Sequence, residues 1–232
     1  MQVTLIDTGL KPYKEVLALQ EELFNNNLTA KQNGQPTSNQ LILCEHNPVF
    51  TLGKSGKREN ILVSDSEIGA EFYHIQRGGD VTFHGPGQMV AYPILDLDSL
   101  GIGVNQYIYQ LEETIIYTLK HYGITGERIE GAAGIWLKAK PVAGMPAAWA
   151  QDRKIAAIGA RVSRMVTMHG LAINVNTDLT WFSKITACGL DGKGTTSIEK
   201  VLGTKAEMDT FKKIFTDAFS RVFGISYIQS AN

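Results

Sequence analysis

Cys44 and Cys188 are the only thiols in the 232-residue chain. Cys44 follows the apolar run Leu41-Ile42-Leu43, which is the setting of a buried core cysteine. Cys188 stands in Thr186-Ala187-Cys188-Gly189-Leu190-Asp191-Gly192, a small-residue stretch that reads as a loop from which a thiol can meet a substrate. A nucleophilic thiol has to lose a proton, and its reference pKa is about 8.5, so it needs a partner. By residue type His84 and His169 are candidates. Lys154 is a third, because it leads the small, apolar run Ile155-Ala156-Ala157-Ile158-Gly159. There, desolvation or a cationic neighbour can lower an amine's pKa, or the ammonium can stabilise a thiolate. The plain alternatives are an unreactive loop thiol and a strand-edge lysine, itself a common device.

A second concentration of chemistry is Arg77-Gly78-Gly79-Asp80-Val81-Thr82-Phe83-His84-Gly85-Pro86-Gly87-Gln88. Four glycines and a proline in twelve residues mean a backbone that turns sharply or lies against something. It is either a glycine-rich turn between strands or a ligand wall, in which exposed N–H groups and polar side chains orient a carbonyl. Phosphate loops are excluded. Gly53-Lys54-Ser55 has Pro48 where a phosphate-binding loop needs glycine, and Gly101-Ile102-Gly103 is followed by Gln106 where a dinucleotide fingerprint needs another. The five histidines, His46, His74, His84, His121 and His169, form no metal-binding spacing, so no metal and no cofactor is expected.

The elements that must position these groups follow from periodicity. Helices are expected from about Tyr13 to Asn26, from Val104 to Tyr122 with Gly123 as a stop, and from Ala206 to Phe223 before Gly224. Strands are expected at Val3–Ile6, Leu41–Glu45, Met89–Leu95, Ile135–Leu137, Ile155–Val162 and Leu171–Val175. Helices flank blocks of strands without alternating strictly with them. That pattern points to an α+β (mixed α/β) fold, a mixed sheet with helices on its faces. A chain of 232 residues that is 44% hydrophobic and 19% charged fits one domain spanning 1–232. A net charge of −1 argues against nucleic acid as a partner. The absence of a long apolar run argues against a membrane span, and two cysteines with no secretory leader fit a cytoplasmic protein.

Four stretches together resemble one family. They are Leu43-Cys44-Glu45-His46-Asn47-Pro48-Val49-Phe50-Thr51-Leu52-Gly53; the Arg77–Gln88 segment continuing to Tyr92-Pro93-Ile94-Leu95-Asp96-Leu97; Lys154–Gly159 with His169-Gly170-Leu171-Ala172-Ile173-Asn174-Val175; and Ala187-Cys188-Gly189. The chain is similar here to the lipoyl(octanoyl) transferases, also called lipoate-protein ligase B. The resemblance implies a lipoate/biotin protein ligase-like core, with Cys188 as the acyl-accepting cysteine and Lys154 as the lysine that lowers its pKa. It also implies substrate-binding roles for Arg77, Gly78, Gly79, Asp80, Val81, Thr82, Phe83 and His84, for Ala157, Ile158 and Gly159, and for Gly170, Leu171 and Ala172. The implied donor is octanoyl acyl carrier protein. The implied acceptors are lipoyl domains of 2-oxoacid dehydrogenase E2 subunits and the glycine cleavage H protein.

The stretch from Leu137 to Arg153, with Pro141, Gly144 and Pro146, is longer than the family's usual hairpin. Lys57, Arg58, Arg161 and Arg164 are candidates for a positive patch facing an acidic carrier protein. Two rival readings stand beside the transferase. One is an ATP-dependent lipoate or biotin ligase on the same fold; the other is a non-catalytic protein that binds an acyl group or a lipoyl domain.

Overall fold

Two-residue alternation along the central strands assigns every second side chain to one face of a sheet. A computed structural model describes residues 1–64, 67–139, 151–186 and 193–229. In chain order the large sheet uses β1 (Gln2–Lys11), β2 (Gln40–His46), β6 (Gln88–Ile94), β7 (Glu127–Ile129), β8 (Ala132–Leu137), β9 (Arg153–Ser163), β10 (Val166–Asn174), β11 (Gly194–Thr195) and β12 (Ser226–Gln229). Its strand order is β12-β1-β2-β6-β10-β9-β8-β7, with β11 alongside β9. β1 runs parallel to both neighbours, β11 is parallel to β9, and the other pairs are antiparallel, so the sheet is mixed as expected. A small sheet of β3 (Val49–Leu52), β4 (Glu71–His74) and β5 (Val81–His84), in the order β4-β3-β5, stands apart from it.

One face of the large sheet takes Leu41, Leu43, Met89, Ala91, Leu171 and Ile173, packed against α3 (Val104–His121) and α5 (Met208–Phe223). The stacked Phe219 and Phe223 rings, 4.2 Å between centroids, belong to this cluster. The residues between them in sequence, Ile42, Cys44, Val90, Tyr92 and Ala172, face Val16 and Phe24 of α1 (Tyr13–Gln32). Short helices α2 (Leu97–Leu100) and α4 (Ile198–Leu202) complete the set. Asp96 and Ser197 cap them through side-chain oxygens, and Gly101 and Gly203 end them in the left-handed conformation. Glu207 caps α5 in the same way, accepting from Asp209 N and Thr210 N. No helix among the described residues is long and apolar enough to cross a membrane.

The expected helices and strands are present with shifted ends. α1 continues to Gln32, beyond Asn26, where the buried Asn27 exchanges hydrogen bonds with the Ser38 backbone and Leu28 packs on the α1-side cluster. β10 begins five residues before Leu171, since His169 and Gly170 look like strand breakers but are held in the ladder opposite Ala160 and Gly159. β3, β4, β5, β7, β11 and β12 are short and carry no periodicity long enough to read.

Candidate active site

Lys154 owes its direction to an irregularity in β9. Ile135 pairs with Ala156 while Trp136 pairs with Lys154, so β9 holds one extra residue at this point. Such a bulge puts side chains three apart on the same face. Ile155 and Ala156 therefore both enter the α3/α5 cluster, while Lys154 and Ala157 both line a cavity on the opposite face. Lys154 Nζ lies 4.6 Å from the centroid of the fully buried Trp136 ring, and Lys193 Nζ lies 4.8 Å from the same centroid.

The cavity, of about 270 Å³, sits between the large sheet and the small one. Its large-sheet floor is the row Ala157, Ala172 and Val90, with Gly159 and Gly170 opposite each other beside it. Both glycines are required by close approach. A Cβ at Gly170 would fall on Ala91 O, and one at Gly159 would come within 2.9 Å of Gly78 O. The glycine-rich segment docks here, as Gly78 N donates to Ala160 O at 2.9 Å. It makes a tight turn through Gly79, at φ +82°, and then a four-residue strand that lines the cavity.

Arg77 is buried and spends its guanidinium on the scaffold. Nη2 donates to Thr51 O at 2.6 Å and Nε to Thr51 Oγ1 at 3.2 Å, and Nη1 donates to Gly78 O at 2.9 Å. It ties β3 to the glycine turn while its flank lines the cavity. Asp80 accepts from Asn60 Nδ2 and, at 2.6 Å, from Val81 N. Val81, Thr82, Gly79, Ile158 and Leu171 also reach the lining, whereas Gly78 contributes backbone and Phe83 turns away. Phe83 instead stacks on Trp181 at 5.0 Å in the small sheet's own core.

A chain of hydrogen bonds runs along the wall. His84 Nδ1 donates to Gln88 Oε1 at 2.7 Å, Gln88 Nε2 to Asn174 Oδ1 at 2.9 Å, and Asn174 Nδ2 to Thr196 O at 3.1 Å. Thr196 N in turn donates to Lys154 O at 2.9 Å, which links this wall to the lysine strand. Burial, followed by the neighbouring His46, pushes His84 down to about 3. His169 is likewise pushed to about 3, by burial first and then by Arg77 and Arg161. Both rings are therefore neutral at physiological pH, which suits an uncharged ligand. His169 adopts φ +59° and its N–H donates to Gln20 Oε1 at 3.1 Å.

At the far side from Lys154, Tyr13 and Tyr92 close the cavity. Tyr92 donates its O–H to His46 Nε2 at 2.9 Å, and His46 Nδ1 donates to Lys11 O at 3.0 Å. Burial drops the His46 pKa to about 4 and raises those of Cys44 and Tyr92. Cys44, buried and 3.4 Å from His46 Nε2, is the core thiol its apolar setting suggests. Gln88 belongs to the glycine-rich segment read from sequence as a candidate ligand wall, whereas Tyr13, Tyr92 and Asn174 are lining residues that the sequence reading did not single out. Tyr92 and Asn174 face the cavity through the two-residue alternation of β6 and β10, which is the available signal.

Cys188 lies outside the described residues, as do Ala187, Gly189 and positions 140–150 of the long loop. The ends of the Cys188 segment are described. Thr186 N donates to Asn60 O at 2.7 Å, and Thr195 pairs with Lys154. Of the candidate basic patch, Arg161 lies over the Phe24 ring at 5.0 Å and Arg164 occupies the β9–β10 turn with φ +48°.

The lipoyl protein ligase A/B catalytic domain matches residues 12–220. The octanoyltransferase of Parabacteroides distasonis is 46% identical over 220 residues, covering 94% of this chain and 96% of the relative. That of Flavobacterium johnsoniae is 44% identical over 232 residues, covering 96% and 97%. Among solved structures, the bipartite lipoate protein ligase of Thermoplasma acidophilum superposes with a TM-score of 0.69 at 14% identity, over 99% of this chain and 87% of that one. The last likeness is one of fold, the mixed α/β core of the lipoate ligases. The sequence matches go further, and the chain belongs to the octanoyltransferase family of acyltransferases, on the lipoyl protein ligase A/B catalytic domain.

Proposed function

We propose that this octanoyltransferase takes an octanoyl group from octanoyl acyl carrier protein and passes it to a lysine of a lipoyl domain, through a thioester on Cys188 with Lys154 as proton partner. The observation that carries the reading is the convergence of Lys154, the Arg77–His84 segment, Ala157–Gly159 and Gly170–Ala172 on one cavity with an apolar floor and polar walls in which both histidines are neutral. The anchoring of both ends of the Cys188 segment supports it, at Asn60 beside Asp80 and at Lys154 itself.

In the first step the Cys188 thiolate attacks the carrier thioester. A new S–C bond forms, the carrier thiolate leaves, and the proton Lys154 took from Cys188 returns to that thiolate. In the second step the acceptor amine attacks the octanoyl-enzyme. An amide bond forms, the Cys188 thiolate leaves, and the proton lost by the amine passes back through Lys154. Exchange between thioesters is nearly balanced and conversion to an amide is downhill, so no ATP enters. Burying roughly six methylenes at ~0.8 kcal/mol each gives about 5 kcal/mol of binding before ordering costs. The acceptors are lipoyl domains of 2-oxoacid dehydrogenase E2 subunits and the glycine cleavage H protein, and the setting is the cytoplasm.

Intact-protein mass spectrometry after mixing with octanoyl carrier protein tests this. Wild type should gain one octanoyl group, Cys188→Ser none, and Lys154→Ala should gain it slowly. An unmodified wild type that nevertheless acylates a lipoyl domain only with ATP and Mg²⁺ would make the protein a ligase.

A further inference from the structure

The cavity floor crosses the strands, and the registers give its length. Ala157 on β9 pairs with Ala172 on β10, which pairs with Val90 on β6, and all three line the cavity. The next residue in that row is Cys44 on β2, fully buried and outside the lining. The slot therefore ends above β6. Neighbouring strands lie ~4.8 Å apart, so Ala157 and Val90 are separated by about 10 Å. An extended eight-carbon chain with bonds of about 1.5 Å reaches about 9 Å.

What ends the slot is an aromatic wall with fixed backing. Tyr92 lies two residues beyond Val90 on the same face, and Tyr13 comes across from the start of α1. The Tyr92 hydroxyl is held by His46, which is anchored in turn on the Lys11 carbonyl. The Tyr13 ring packs edge-on to His46 at 5.1 Å. Neither Tyr92 nor His46 can swing aside without leaving a buried polar partner unsatisfied, and Tyr13 is held by ring packing, which makes the wall stiff.

We infer that Tyr92, braced by His46, is the length stop of the acyl slot: the carbonyl lies at the Lys154 end, the chain crosses Ala157, Ala172 and Val90, and its methyl terminus meets the Tyr92 ring. This rests on the acyl-transfer reading above and adds where the chain lies and what selects eight carbons. Tyr92 is a specificity-determining residue, and His46 is a positioning residue that acts through it. Without the ring the slot opens by one strand spacing of ~4.8 Å, room for roughly four more carbons at the bond lengths of a zigzag chain. A larger side chain at Ala172 blocks the middle of the path and favours shorter chains.

The test is a chain-length series. Carrier proteins bearing four-, six-, eight-, ten- and twelve-carbon acyl groups are offered to wild type and variants, and kcat/KM for acyl-enzyme formation is taken as a ratio within each variant. A partly unfolded sample leaves that ratio unmoved. Wild type should favour eight carbons over twelve. Tyr92→Ala should raise the twelve-to-eight ratio by about tenfold or more. His46→Ala should raise it less, and His46→Gln should restore it, because an amide can accept from Tyr92 and donate to Lys11. Ala172→Val should move the optimum below eight carbons. An optimum that stays at eight carbons in Tyr92→Ala, while wild type is acylated, overturns the length stop and leaves the transferase reading standing. If Tyr92→Ala does not fold, an unshifted optimum in Ala172→Val overturns it instead. A wild type acylated by no chain length sinks the thioester reading, and the length stop with it.

Discussion

The two faces of the large sheet are built to different ends. On the α3/α5 side, phenylalanines and aliphatic residues fill the space, and buried Thr114 and Thr118 return their hydroxyls to carbonyls of their own helix at 2.8 Å. On the α1 side the buried inventory includes Gln20, His46, Arg77, His84, Gln88, His169 and Asn174, bonded between elements. Gln20 Nε2 and His169 Nδ1 have no hydrogen-bond partner there among the described residues. A buried polar group left unsatisfied costs about 1–3 kcal/mol. The first face supplies the stability that lets the second keep a cavity and a strained, polar wall.

That contrast can be broken first with a pair of substitutions. Lys154→Ala on the cavity side should slow acyl transfer by about 10²–10⁴-fold, with stability changed by no more than the ~1 kcal/mol of a lost cation–π contact with Trp136. Phe215→Ala on the packed side should do the reverse, lowering unfolding free energy by about 3–5 kcal/mol with the rate per folded molecule preserved. Urea titration and single-turnover acylation on both variants check this, and similar effects of the two on both readouts would abolish the distinction. A smaller effect is expected at the seam. Gly170→Ala pushes a methyl onto Ala91 O and Pro93 Cδ, and should cost roughly 1–3 kcal/mol as overpacking does, read from the urea midpoint.

The smallest effect per residue concerns acid. His46, His84 and His169 are held neutral on the cavity face, with pKa values of about 4, 3 and 3 against 6.5 for the free side chain. Below about pH 6.5 the unfolded chain binds protons that the folded one refuses. Stability is therefore full above that pH and falls as pH drops towards those values, by at most ~1.4 kcal/mol per pH unit for each histidine. His84→Gln should flatten the slope of unfolding free energy between pH 6.5 and 4.5 by up to one proton. An unchanged slope would place the acid sensitivity elsewhere, among carboxylates or on the other face.

Much of this was legible from residue order. The three long helices were visible because their apolar residues recur at helical spacing. Their ends were less so, and α1 outran its expected boundary because Asn27 is buried by hydrogen bonding to Ser38, which hydropathy does not register. The small sheet was invisible, since four-residue strands such as Val49–Leu52 gain their meaning only from partners far along the chain. β12 is a clear case: it joins β1 from far along the chain by parallel backbone pairing, with Tyr227 packed on the core and bonded to Thr216 O.

At the site, the motifs and the residue types were in the sequence, and so was the family. Local order placed Lys154 at the head of a small-residue strand and made the Arg77–Gln88 segment conformationally unusual. Simple alternation would have set Lys154 and Ala157 on opposite faces, and only pairing with β8 creates the bulge that aims both at the cavity. The length and end of the slot are likewise set by registers across β9, β10, β6 and β2, and by a hydrogen bond joining Tyr92 to His46, 46 residues apart. Local order determines which groups are available, because type and spacing are properties of the chain; which of them meet is decided by strand pairing, because that is where distant residues acquire a common face.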